Sequence, residues 1–283
     1  MGYNHSPAGI DGYWGEITST LDWCEENYQL TFYIAEFWNA LSNLVFLGLA
    51  AIGCWSCHKL NVGLSHTLNF VFIGVIGIGS ILFHSTLLYE FQLADELPII
   101  YGTSVMVYVL VDMMVQSVLL SRIAAVAMAA YAVTVHVVYA INRNPVFHHS
   151  CHGILVLLCV FLPIRLILFS SPSAKPRLWS IYALSVASYA LGFAVWSFEN
   201  NAMNCDLLRN WRTSVGFPLG IVSELHSWWH LFSGYGAYGS CLLSLLIHLH
   251  ISGRTDFRLI YYLNIIPVVQ LSSGDLQKLK KTN

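Results

Sequence analysis

Seven stretches of mainly apolar residues, each close to 20 long or longer, dominate this chain: 34–56, 67–88, 97–120, 123–141, 151–169, 179–198 and 221–248. A helix needs about 20 apolar residues to cross the roughly 30 Å hydrocarbon core of a bilayer, and few other structures can bury such runs. Charged residues make up only 10% of the sequence, against about 25% in soluble domains, so there is too little charge to cover a water-facing surface. The runs are continuous and do not alternate over about ten residues, which excludes a transmembrane β-barrel. No repeat or low-complexity segment divides the chain. The expected fold is therefore all-α: a polytopic membrane protein with seven transmembrane helices. Residues 34–250 would form the bundle, 1–33 a preceding segment and 251–283 a tail. Residues 1–33 hold no Lys or Arg and no early apolar run, so no signal peptide is expected. With 13 Lys+Arg against 15 Asp+Glu, the strongly basic face of a nucleic-acid binder is excluded. The seven cysteines are too dispersed for a small disulfide scaffold.

Cytosolic loops collect Lys and Arg. Lys59, Arg122, Lys175 and Arg177 fall on the side of the C-terminal tail, which adds Arg254, Arg258, Lys278, Lys280 and Lys281. The other side has Arg143, Arg209 and Arg212. This asymmetry predicts a luminal or external N-terminus and a cytosolic C-terminus. Lys280-Lys281-Thr282-Asn283 resembles the cytosolic dilysine retrieval signal, which implies the endoplasmic reticulum or Golgi membrane and retrieval machinery as a partner. A basic tail obeying only the positive-inside rule gives the same topology.

Ionisable groups inside spans are costly and mark candidate sites. Ser80 and His84 close the second span, Asp95 and Glu96 open the third, and Glu224, His226 and His230 open the seventh. The topology puts all of these at the luminal end. His226 and His230 stand one turn apart on one helix face, a spacing that lets two imidazoles share a metal. A lone membrane histidine is more often a packing residue; His84 as a third nitrogen at the same depth favours Zn²⁺ with an open fourth position. Zinc would lower the pKa of a bound water to about 7. Asp95 would accept the proton of that water, and Ser80 would hydrogen-bond a carbonyl oxyanion. His148, His149 and His152, placed before the fifth span, form a rival cluster for which no carboxylate partner is expected. Glu96, Asp112 and Glu224 read as structural. Cys54 and Cys57 have CxxC spacing without a second pair, so reduced bystanders are expected.

Asp22, Glu25 and Asn27 supply hard oxygens within six residues, the Trp23 carbonyl can add one, and Glu36 lies at the start of the first span. Ca²⁺ takes six to eight such oxygens. From spacing alone a solvated acidic loop is an equal alternative; Glu36, a carboxylate entering a span, favours a cation. A seven-span receptor has no need of converging histidines. An ion transporter would show the broken helices or inverted repeats that are not evident here.

Together these motifs resemble the alkaline ceramidases, within a superfamily of seven-span hydrolases that includes the progestin and adiponectin receptors. The resemblance rests on Asp22-Trp23-Cys24-Glu25-Glu26-Asn27-Tyr28, Ile34-Ala35-Glu36-Phe37-Trp38-Asn39, Gly79-Ser80 through His84-Ser85-Thr86, Asp95-Glu96-Leu97-Pro98 and Glu224-Leu225-His226-Ser227-Trp228-Trp229-His230. It implies zinc on His84, His226 and His230, catalysis by Asp95 and Ser80, and calcium on Asp22, Trp23, Glu25, Asn27 and Glu36. It also implies a Cys24–Cys205 disulfide, which suits the oxidising side of the membrane. The implied reaction is hydrolysis of a ceramide amide, the lipid entering from the bilayer, to a sphingoid base and a fatty acid. Hydrolysis of another lipid amide, or a receptor of the same superfamily, is the alternative.

Overall fold

Caps and turns cut the apolar stretches into helices. In chain order the computed structural model contains α1 (Phe37–Ser42), α2 (Leu44–Leu60), α3 (Leu64–Thr86), α4 (Tyr89–Asp112), α5 (Val118–Asn142), α6 (Pro145–Phe169), α7 (Lys175–Ala202) and α8 (Cys205–Val215). A 3-10 turn at Leu219–Ser223 leads into α9 (Leu225–Ile251), and strands β1 (Phe257–Tyr262) and β2 (Ile266–Leu271) follow. The structure describes residues 12–202 and 205–272. Lys278, Lys280 and Lys281, with their retrieval-type ending, lie outside the described residues.

Among the described residues six helices are long and apolar enough to cross a membrane: Phe37–Leu60 (α1 and α2 together), α3, α4, α5, α6 and Lys175–Asn200 of α7. The chain is a multi-pass membrane protein. α5 is the most peripheral, with only 11% of its most apolar window buried, so its Val and Leu side chains face outward as lipid contacts do. α9 is the opposite. It is 27 residues long and packs against α2, α3, α6 and α7, with Tyr238, Leu242, Leu245 and Leu246 wholly buried in the main core. Its small residues permit that position: a Cβ on Gly236 would stand 2.9 Å from the Ser185 carbonyl of α7, the close helix approach that glycine allows in membrane bundles.

Several boundaries differ from the sequence expectation: α4 starts at Tyr89 rather than 97, so Asp95 and Glu96 lie inside it, and α5 starts at Val118 rather than 123. The first span starts at Phe37 and is interrupted at Asn43, so 34–56 becomes α1 plus α2. α6 starts at Pro145, six residues earlier than the expected 151, because the Asn144 side chain caps it by accepting from Val146 N and proline suits the first helical position. His148, His149 and His152 therefore lie within the first turns of α6 rather than before the span. The all-α expectation also needs correction: part of the 251–283 tail is an antiparallel hairpin, Phe257 pairing with Leu271 and Tyr262 with Ile266. Its β-branched and aromatic residues suit a pleated surface. Val268 and Val269 are fully buried, and the Tyr238 hydroxyl donates to the Pro267 carbonyl at 2.7 Å.

The N-terminal segment is sewn to the α3–α4 junction by backbone bonds. Leu87, in the left-handed region at φ 52, ends α3, and its carbonyl accepts from Thr18 N and Ser19 N. Ala35 N donates to the Ser85 carbonyl and Glu36 N to that of His84, at 3.0 and 2.8 Å. These bonds hold Glu36 beside His84.

Candidate metal centre and active site

His84 ends α3, and His226 and His230 open α9; all three side chains are buried, and each offers a ring nitrogen within 4.8 Å of the other two. Three nitrogens about 2.1 Å from one tetrahedral ion stand about 3.4 Å apart, so small ring rotations suffice to share an ion. The surroundings set the tautomers. His84 Nδ1 donates to Glu36 Oε2 at 2.5 Å, leaving Nε2 buried and without a hydrogen-bond partner among the described residues. The Ser42 hydroxyl gives its hydrogen to the Asn39 carbonyl at 2.8 Å and so can accept from His230 Nδ1, also at 2.8 Å. With Nδ1 protonated in this way, His230 Nε2 carries the lone pair. His226 stacks on Trp23 at 3.7 Å between centroids, and its Nδ1 is likewise buried without a partner. Buried imidazole nitrogens gathered within 4.8 Å of one another, with Nε2 of His84 and Nδ1 of His226 unpartnered among the described residues, are a donor set for a metal ion.

Ser80, one turn before His84, is buried, and its hydroxyl lies beside the half-buried Asp95 carboxylate of α4. A close helix approach makes this possible: a Cβ on Gly79 would stand 2.0 Å from the Ala94 carbonyl. Only glycine lets α3 and α4 meet here. Asp95 is not part of the three-histidine group, which leaves it beside the centre rather than on it.

The acidic segment is buried against this centre. Glu36 Oε1 accepts from Trp23 N at 3.1 Å, while Oε2 accepts from His84 and, at 3.2 Å, from Asn39 Nδ2. Glu25 accepts from Trp38 N and Asn39 N at 2.7 and 2.8 Å, satisfying two of the free N–H groups that open α1. Burial, then the neighbouring Glu36 charge, pushes the Glu25 carboxyl up to about 8. Asp22 accepts from Asn27 Nδ2 at 3.4 Å, and Asn27 Oδ1 is buried without a hydrogen-bond partner among the described residues. The structure thus brings Asp22, Trp23, Glu25, Asn27 and Glu36 into one buried segment. Asp22, Glu25 and Glu36 do not bring three carboxylate oxygens within 4.8 Å of one another. Cys24 and Cys205 are joined in a disulfide with Cα atoms 5.0 Å apart, which ties this segment to α8.

A family model described as Ceramidase matches residues 15–270. The chain belongs to the ceramidase family. It is 36% identical over 234 residues to "Alkaline ceramidase 3" of Mus musculus, covering 83% of this chain and 85% of the relative. "Alkaline ceramidase YPC1" of Saccharomyces cerevisiae is 33% identical over 252 residues, 83% of this chain and 78% of its own length. "Alkaline ceramidase" of Arabidopsis thaliana is 26% identical, with 95% and 99% covered.

Within this ceramidase-family chain, several residues that sequence reasoning passed over support the centre. Asn39, Ser42 and Asn43 are the polar turn that meets α9: Asn43 Nδ2 lies 3.1 Å from His230 Nδ1, and Ser227 Oγ donates to Asn39 Oδ1 at 2.9 Å. Glu199 near the end of α7 accepts from Cys24 N at 3.2 Å, and its Oε2 is buried without a hydrogen-bond partner among the described residues. Glu224 pairs with Arg212 of α8 at 2.8 Å, as a structural residue would. Glu96 was expected to stand apart from the α6 histidines, and that expectation is wrong: its Oε1 lies 3.7 Å from both His148 Nδ1 and His149 Nε2. A helix of α4's length crossing that of α6 can pair residues about fifty positions apart, which no local spacing reveals.

Proposed function

We propose that this chain hydrolyses the amide bond of ceramide-type lipids, releasing a sphingoid base and a fatty acid. The observation that carries the proposal is the convergence of three buried histidines with the Ser80–Asp95 pair one helical turn away, in a chain of the ceramidase family whose relatives are named alkaline ceramidases. His84, His226 and His230 would hold Zn²⁺, the ion that three imidazoles and an open position suit. When bound, zinc supplies Lewis acidity and acidifies a water it holds.

The chain's own residues do the rest. Glu36 fixes the ring of His84 and raises its basicity through the Nδ1 hydrogen bond. Ser42 does the same for His230. Asp95 takes the proton of the attacking water and returns it to the leaving amide nitrogen. The Ser80 hydroxyl donates to the oxygen of the amide carbonyl as charge develops there. Trp23, stacked on His226, closes the N-terminal side of the centre.

Calcium belongs to this proposal as a structural ion on Asp22, the Trp23 carbonyl, Glu25, Asn27 and Glu36. Supporting it are the burial of these groups, the unpartnered Asn27 oxygen and the raised Glu25 carboxyl, whose charged form a cation would stabilise. Glu199 brings one more buried oxygen to the same segment. α9 would be the seventh span, with the N-terminus luminal and the C-terminus cytosolic in the endoplasmic reticulum. The Cys24–Cys205 bridge supports an oxidising compartment on that face.

The test is release of fatty acid from a panel of ceramides by purified protein, with Asp95→Ala alongside. Cleavage by the wild type and a loss of at least a hundredfold in the variant are expected. Equal rates in the two proteins would remove Asp95 from the mechanism. No cleavage of any ceramide by zinc-loaded wild type would overturn the substrate assignment.

A further inference from the structure

Apart from the three-histidine centre, one other place among the described residues brings three ligand atoms within 4.8 Å of one another: Glu96, His148 and His149. It lies where α4 faces the first turns of α6. Glu96 is 5% exposed and His148 1%. The hydrogen bonds of Glu96 and His148 are arranged so that unprotonated atoms face inward. Glu96 Oε2 accepts from the Tyr139 hydroxyl and from Gln92 Nε2 at 3.0 Å, which leaves Oε1 with no hydrogen-bond partner among the described residues. His148 Nε2 can only donate to the Glu96 backbone carbonyl, 2.9 Å away, so its Nδ1 carries a lone pair; that atom too is buried without a partner.

Glu96 Oε1 stands 3.7 Å from His148 Nδ1 and 3.7 Å from His149 Nε2. This is too long for a hydrogen bond. It is close to the spacing of about 3.4 Å between ligands of one tetrahedral Zn²⁺ at 2.0–2.2 Å. The lone pair of His148 Nδ1 and the unpartnered Glu96 oxygen face one another out of water, with a second imidazole nitrogen from His149 beside them, and call for a cation between them. The His149 side chain is 35% exposed, which opens a path for an ion. Tyr139, Gln92 and the Glu96 carbonyl already form the outer hydrogen bonds that hold metal ligands in place.

We infer that Glu96, His148 and His149 form a second metal site, for a borderline first-row divalent ion with Zn²⁺ as the first candidate. The ion clamps α6 to the turn of α4 that carries Asp95. The ring of Trp196 lies edge-on to His149 at 5.2 Å and approaches Trp23 at 6.4 Å, so the two sites share an aromatic wall. No ligand is shared with the His84 centre, so each site can be lost alone.

The test counts metal in full-length protein in detergent, stripped with chelator, reloaded with Zn²⁺ and desalted. Two zinc ions per chain are expected in the wild type, one in His149→Ala, one in His226→Ala and none in the double variant. Cobalt-loaded His226→Ala should show visible d–d absorption that His149→Ala added to it abolishes. A wild type with one zinc, lost in His226→Ala and kept in His149→Ala, overturns the second site and leaves the catalytic reading standing. One zinc lost in His149→Ala and kept in His226→Ala does the reverse. Should His149→Ala fail to fold, the His226→Ala protein decides alone: one retained zinc supports the site and none overturns it.

Discussion

Glu36 touches three partners that lie far apart in sequence: the Trp23 amide, the Asn39 amide group and the His84 ring. The sequence marked it as a carboxylate entering a span and assigned it to calcium, and nothing in its spacing showed that it also faces His84, 48 residues on. Carboxylate oxygens accept from several directions, so one residue can serve a loop and a metal-binding ring together; only the fold says which. Removing its charge while keeping its shape should separate these duties. In Glu36→Gln the His84 ring loses its anionic partner, and zinc affinity at the three-histidine centre should fall by about 10- to 100-fold. Chelator competition on the purified variant reads this directly. An unchanged zinc affinity would mean that the Glu36–His84 bond does not tune the centre. By contrast, His84, His226 and His230 were legible without the structure, because the i, i+4 pair and the shared depth of their spans do not depend on side-chain detail.

At the scale of elements, what held least well was what periodicity does not report. The start of α6 was misplaced because an Asn-Pro start signal extends the helix past its most apolar window. The hairpin was hidden behind the basic charge of the tail. α8 is the element with the clearest mechanical consequence. It is an 11-residue amphipathic helix fastened to the N-terminal segment by the Cys24–Cys205 bridge, by Arg209 Nε donating to the Cys24 carbonyl at 3.3 Å, and to the start of α9 by Arg212–Glu224. The bridge closes a chain separation of 181 residues. Loop-closure entropy for so long a loop would be large in a free chain, but spans that stay inserted already restrain its ends. The effect should therefore sit at the low end of the usual range, about 2 kcal/mol. Cys205→Ser is expected to lower the melting temperature measurably and to leave the protein inserted. A melting curve identical to wild type would show that Arg209 and Glu199, both bonded to Cys24 backbone groups, hold the segment without the disulfide.

Across the whole molecule, the one long helix that falls short of the apolarity of a membrane span among the described residues, α9, occupies the centre. α9 meets its neighbours on nearly every side, so its histidines, serines and glycines face protein rather than lipid, and a hydropathy window undervalues it. Its two ends lie at opposite ends of the bundle. The first turns hold His226 and His230 beside the end of α3, while just beyond its last turn Arg254 Nη1 donates to the Leu60 carbonyl at the end of α2 at 2.5 Å. Six crossings, one by each helix long and apolar enough to span, would return the chain to the side where it started, which is consistent with Cys24 and Cys205 lying close enough to bond. If α9 is the seventh crossing, as proposed, it carries the tail to the other side. Parity makes this testable. In microsomes, a glycosylation acceptor placed ahead of residue 12 should be modified and one placed after residue 272 should not. Modification at both ends, or at neither, would mean an even number of crossings, with α9 packed inside the bundle but not spanning it. Modification of the C-terminal acceptor alone would keep seven spans and invert the orientation, putting the disulfide on the reducing side, where it would not be expected to persist.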